Sequence, residues 1–146
     1  MKHLYFAYGM NTNLTSMSSR CPNADVLGSA VLFGYRFVFR HHADVELDNE
    51  SDTQGVLWEI DDNDLANLDS FEGFPTYYLR TRAWVNFNDK WVIAWIYTMQ
   101  DQDYLSKPSA SYVSMCIEGY ETNGVSTTQI DQALKEIEYA ETHYEY

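Results

Sequence analysis

The sequence predicts an α+β fold: a small mixed, strongly curved β-sheet or barrel flanked by short helices, formed as a single domain over residues 1–146. Three observations carry this reading. Short runs of β-branched and aromatic residues crowd the chain up to Met99. Short helical stretches interrupt them without the regular strand-helix alternation of a doubly wound parallel sheet. Beyond Pro108 the apolar period changes from two to that of a helix.

The elements follow in order. Lys2 to Tyr8 is aromatic-rich and breaks at Gly9, as a short buried strand ending in a turn does. Asn11 or Asn13 then caps a short helix running through Ser19. Ala30 to Arg40 is a longer strand, with a bulge or bend expected at Gly34. Asp44 to Asp52 carries five acids without apolar periodicity, which predicts a solvated loop, and it lacks the glycine of a calcium loop. Gln54 to Ile60 is again a strand. Asp61 or Asp62 then starts a helix with Leu65, Leu68 and Phe71 at three-residue steps, running into Glu72-Gly73.

Tyr77–Phe87 and Lys90–Met99 alternate as strands on either side of Asn88-Asp89, the pattern of a β-hairpin. Tyr112, Met115, Cys116 and Gly119 share a helical face, and Gly124 ends that helix. Thr127 or Thr128 opens the last one, through Ile130, Leu134 and Ile137, and the acidic, aromatic tail to Tyr146 is expected to fray.

Composition narrows the function. With 9 Lys+Arg against 22 Asp+Glu, the net charge of −13 repels phosphate backbones and anionic lipid surfaces, so neither nucleic acid nor membrane is an expected partner. No apolar run reaches membrane-span length and the start turns polar too early for a signal peptide, which makes the cytoplasm the expected location. Cys21 and Cys116 are far apart, outside any metal spacing, and read as reduced thiols. His41 and His42, as neighbours on a strand, would point to opposite faces and not chelate together, so no metal or other cofactor is expected. Trp58, Trp84, Trp91 and Trp95 read as core or interface positions, and the apolar content is compatible with a homodimer.

Three segments carry a resemblance: Tyr5-Phe-Ala-Tyr-Gly-Met-Asn11, Leu68-Asp-Ser-Phe-Glu-Gly-Phe-Pro-Thr-Tyr-Tyr-Leu-Arg80, and Tyr112 through Gly119 to Gly124. In their order and spacing the sequence resembles the γ-glutamyl cyclotransferase-like superfamily, also described as AIG2-like. The resemblance implies a cyclisation in which the α-amine of a γ-glutamyl group attacks its own γ-carbonyl, giving 5-oxoproline and releasing the attached amine or amino acid. Glu72 matches the family's acid/base glutamate. Tyr8, Gly9, Met10 and Asn11 match its substrate-binding turn, with Met10 where the family has Ser, and Tyr112 matches a pocket tyrosine.

The chemistry explains these residue types. An ammonium is no nucleophile and a leaving amine needs a proton, so one carboxylate can serve both steps, its pKa raised by apolar neighbours such as Phe71, Phe74 and Pro75. A glycine turn entering a helix presents backbone N–H groups that suit a carboxylate or a polarised carbonyl. Arg36, Arg80 and Arg82 are scarce cations that a substrate carboxylate could use, although ion pairs with the many acids are the simpler reading. Two alternatives stay open: a catalytically silent γ-glutamyl-ligand-binding or scaffold protein on the same fold, and an enzyme that trims a γ-glutamyl group from a larger molecule.

Overall fold

The computed structural model describes residues 1–143. Five strands, β1 (Lys2–Ala7), β2 (Asp25–Arg40), β3 (His42–Asp61), β4 (Tyr78–Phe87) and β5 (Lys90–Met99), form a closed barrel in the order β1-β3-β2-β4-β5. All neighbours are antiparallel except where β1 meets β5 in parallel at Tyr5 and Trp95, so the sheet is mixed. Among the described residues four helices flank it: α1 (Leu14–Arg20), α2 (Asp62–Glu72), α3 (Ala110–Thr122) and α4 (Thr128–His143). The core fills the barrel with Phe6, Leu32, Phe39, Leu57, Ile60 and Ile96, and continues under the helices through Met17, Leu68, Tyr120 and Ile130.

Local chemistry sets the helix starts. Asn13, the second of the two candidate caps, accepts from the Ser16 N–H. Asp61 and Asp64 form a reciprocal capping box at α2, each carboxylate taking the other's backbone N–H. Ser109 caps α3 through the Tyr112 N–H.

The predicted loop Asp44–Asp52 is a correction: it lies inside the 20-residue strand β3. Only 48–51 bulge out, because Leu47 pairs with Tyr35 and Asp52 with Phe33, and the Asp48 carboxylate ties the bulge to Glu50 and Ser51. Asp44 is fully buried against Arg40 across the hairpin, at 2.7 Å, and also accepts from the Met99 N–H and Gln102. A partner four residues upstream makes that acid an interior one.

The His pair also departs from strand geometry. His41 is the hairpin turn itself, with φ 68°, so strand alternation does not apply and the two rings meet at 4.8 Å. Of the tryptophans, Trp58 is buried and Trp95 lies under Arg80 and Arg82, whereas Trp84 and Trp91 are more than half exposed and are not core. Cys21 and Cys116 are buried free thiols, each pushed up to about 12 chiefly by burial.

Candidate active site

β1 ends at Ala7, and Tyr8-Gly9 lead into a single 3₁₀ turn, Met10–Thr12. Gly9 is there because of space: a Cβ would come within 2.9 Å of both the Ala43 Cβ and the Tyr112 hydroxyl. Helix α3 clamps the turn from the other side, where a Cβ on Gly119 would lie 2.3 Å from Thr12 Oγ1 and 2.6 Å from the Asn13 nitrogen. Asn123 Nδ2 donates to the Thr12 carbonyl and Asn13 Nδ2 to that of Met115, so the turn and helix are stitched as well as packed. Thr12 and Asn13 use their N–H groups inside the turn, while those of Met10 and Asn11 find no acceptor among the described residues. The turn therefore keeps the free donors expected of it.

Glu72 is the last residue of α2, ahead of the left-handed Gly73. Its carboxylate is half-buried, and Oε1 accepts from Asn11 Nδ2 at 3.2 Å. The same nitrogen donates to the Tyr5 hydroxyl at 3.0 Å, and Asn11 Oδ1 accepts from Arg20 Nη1. Both ends of the Asn11 amide are thus engaged by protein groups, and its side chain acts by holding Glu72 and Tyr5. Burial raises Glu72 from the ordinary 4.5 to about 7, against the opposing charge of Arg20 and the Asn11 hydrogen bond.

Of the neighbours expected to desolvate Glu72, Phe71 lines its cavity and Phe74 and Pro75 do not. Phe71 is 53% exposed and covered by the Arg20 guanidinium, 3.6 Å above its ring; Pro75 is exposed, and Phe74 packs towards Arg80. A cavity of about 280 Å³ encloses Glu72 between Phe71 and the tyrosines Tyr5, Tyr8, Tyr78 and Tyr112, with the Gly9 turn facing it and His42 and Tyr77 at its edge.

All six site residues read from the sequence, Tyr8, Gly9, Met10, Asn11, Glu72 and Tyr112, line this one cavity. Tyr8 fixes its wall by donating to the Tyr97 carbonyl at 2.5 Å, and the Tyr112 hydroxyl accepts from the Ala43 N–H at 3.0 Å. Arg36, Arg80 and Arg82 do not line it: Arg36 pairs with Glu136 and Glu46, Arg80 with Asp69, and Arg82 sits over Trp95. Arg20 is the cation the sequence reading missed. Its signal was faint, an arginine at the end of a short polar helix, and only the fold returns it to the Met10-Asn11 turn.

Comparison with known proteins places the chain in a family and its fold among solved structures. Residues 5–115 match the family model described as Gamma-glutamyl cyclotransferase, AIG2-like. A solved structure titled "Gamma-glutamyl cyclotransferase" is 23% identical, with a TM-score of 0.82 over 92% of this chain and 87% of its own. An uncharacterised human protein has the same identity and TM-score over 90% and 86%. YkqA from Bacillus subtilis is 22% identical with a TM-score of 0.80, over 92% of this chain and 54% of its own. No curated protein matches. At these identities the solved structures establish the fold alone, and it is the family match across most of the chain that establishes kinship: the chain belongs to the Gamma-glutamyl cyclotransferase, AIG2-like family.

Proposed function

We propose that the protein cyclises a γ-glutamyl group to 5-oxoproline and releases the attached amine or amino acid, with Glu72 as the general acid/base. The observation that carries this is the half-buried Glu72 carboxylate, raised to about 7 and facing the donors of the Gly9 turn across one cavity. A carboxylate near that value is present as base in useful amount at neutral pH and, once protonated, is a competent acid. Glu72 takes a proton from the α-amine as nitrogen bonds to the γ-carbonyl carbon. It then returns that proton to the departing nitrogen as the original amide bond breaks.

In this reading the backbone N–H groups of Met10 and Asn11 hold the substrate α-carboxylate, a role that needs no hydroxyl at position 10. The tyrosine walls hold the glutamyl chain curled, and effective molarities of about 10⁵–10⁸ M in well-oriented ring closures make that positioning a large part of the rate.

Incubation with a panel of γ-glutamyl amines and dipeptides, followed by assay of released 5-oxoproline, tests the proposal. Glu72→Gln is expected to lower the rate by about 10²–10⁴-fold. Equal release by wild type and mutant would remove Glu72 from the chemistry. A binding protein without turnover is the second reading, favoured by Met10 in place of Ser, and a panel member that binds without conversion would establish it.

A further inference from the structure

Among the described residues six tyrosines line the cavity, and accounting for their hydroxyl protons leaves Tyr5 and Tyr112 as the two that accept a hydrogen bond without giving one. Tyr8 donates to the Tyr97 carbonyl, Tyr78 to the Ala43 carbonyl at 2.9 Å, and Tyr97 to the Asp69 carboxylate at 2.6 Å. The Tyr112 hydroxyl accepts from the Ala43 N–H at 3.0 Å, and Tyr77 stands at the edge, 3.4 Å from His42 Nδ1. Of the two acceptors, Tyr5 shares its donor with Glu72. Its oxygen accepts from Asn11 Nδ2, and no acceptor for its own proton is found among the described residues, although the side chain is only 4% exposed.

The orientation is not arbitrary. A guanidinium has donors only, so the Asn11 atom facing Arg20 must be the carbonyl oxygen, and the NH₂ end must face Tyr5 and Glu72. The Tyr5 oxygen is therefore a receiver at Asn11, which leaves its O–H to the cavity. Burial, with the nearby charge of Glu72, holds the phenol above its ordinary value, so it stays protonated. Tyr5 and Glu72 also hang on the same amide nitrogen, which places a donor and a proton acceptor side by side.

We propose that the Tyr5 hydroxyl donates a hydrogen bond to the γ-carbonyl oxygen of the bound γ-glutamyl group as the ring closes, an assignment that rests on the cyclotransferase reading. When the α-nitrogen bonds to the carbonyl carbon, the π pair moves onto that oxygen, and the Tyr5 hydrogen bond stabilises it without giving up its proton. Glu72 meanwhile holds the proton removed from nitrogen. When the carbonyl reforms, the bond to the leaving nitrogen breaks and Glu72 protonates it. Met10 offers a thioether and no hydroxyl at the neighbouring position, so the side-chain donor comes from β1 instead. Arg20 and Asn11 are positioning residues that aim it.

Tyr5→Phe keeps the ring and removes the donor. With the best panel substrate, kcat is expected to fall about 100-fold while KM stays within about threefold and the protein still folds cooperatively, its unfolding midpoint lowered only by the loss of the Asn11–Tyr5 hydrogen bond. A kcat within about threefold of wild type would overturn the assignment of Tyr5 and leave the cyclotransferase reading standing.

If wild type turns over no panel member, that reading fails by itself and calorimetry with 5-oxoproline decides on Tyr5. Tyr5→Phe should then weaken 5-oxoproline about 3- to 10-fold and leave cyclopentanecarboxylate, which lacks the lactam oxygen, unchanged. Equal weakening of both, no weakening of 5-oxoproline, or no binding of it by wild type would overturn the proposal.

Discussion

Replacing Glu72 by Gln should stabilise the fold, and more so as the pH rises. Glu72 moves from 4.5 in the unfolded chain to about 7 in the fold, because burial outweighs Arg20 and the Asn11 hydrogen bond. Between those values the folded state binds the proton and the unfolded state does not, so wild-type stability falls as pH rises through this window. Glutamine does not titrate. From pH 5.5 to pH 8 the linkage amounts to about 2 kcal/mol, and solvent screening at the open side of the cavity leaves about 1–2 kcal/mol. Urea unfolding of both proteins at the two pH values should show the mutant's advantage growing by that amount, a relative midpoint shift of about 0.5–1 M. A wild-type-to-mutant difference that stays constant would mean that Glu72 is not desolvated in the fold, and the case for it as acid/base would go with it.

Three other outcomes follow from the same geometry. On the cyclotransferase reading, kcat/KM should rise about tenfold per pH unit below about pH 7 and level off above it as the Glu72 base form fills, and a flat profile from pH 5.5 to 8 would contradict this. Gly119→Ala drives a methyl into Thr12 and the Asn13 backbone, so it should cost about 1–3 kcal/mol in thermal or urea unfolding and reduce activity by displacing the turn; a loss below about 0.5 kcal/mol would mean that α3 can back away freely. Arg40→Leu leaves the fully buried Asp44 without its cation and should cost about 3–5 kcal/mol, measured by urea unfolding; a neutral result would show that the Met99 N–H and Gln102 suffice for that carboxylate.

What could be read from the sequence was what is local or contiguous. The strand-to-turn at Gly9 and the helix ending in Glu72-Gly73 each lie in one short segment with its own capping or turn chemistry, and the structure brings both to one cavity. The barrel's curvature was legible from strand count and bulge signals, including Gly34, where the β2–β3 register shifts. The acidic run at Asp44 was misread because burial of a charge depends on a partner, and Arg40 meets it only once the hairpin has formed. Arg20 and Tyr5 were missed for a related reason: neither type nor spacing reveals that one amide, Asn11, will stand between a helix-end arginine, a strand tyrosine and a carboxylate 61 positions away.

The closure of the barrel bears on when the protein becomes competent during folding. Tyr5 lies at the parallel contact with Trp95 that joins the first strand to the last, and Glu72 reaches Asn11 only when the intervening β2–β3 hairpin is in place. Such distant pairings form slowly compared with local helices and turns. In a refolding experiment, recovery of ligand binding should therefore lag behind the far-ultraviolet signal of secondary structure, because the site joins segments that only long-range pairing brings together.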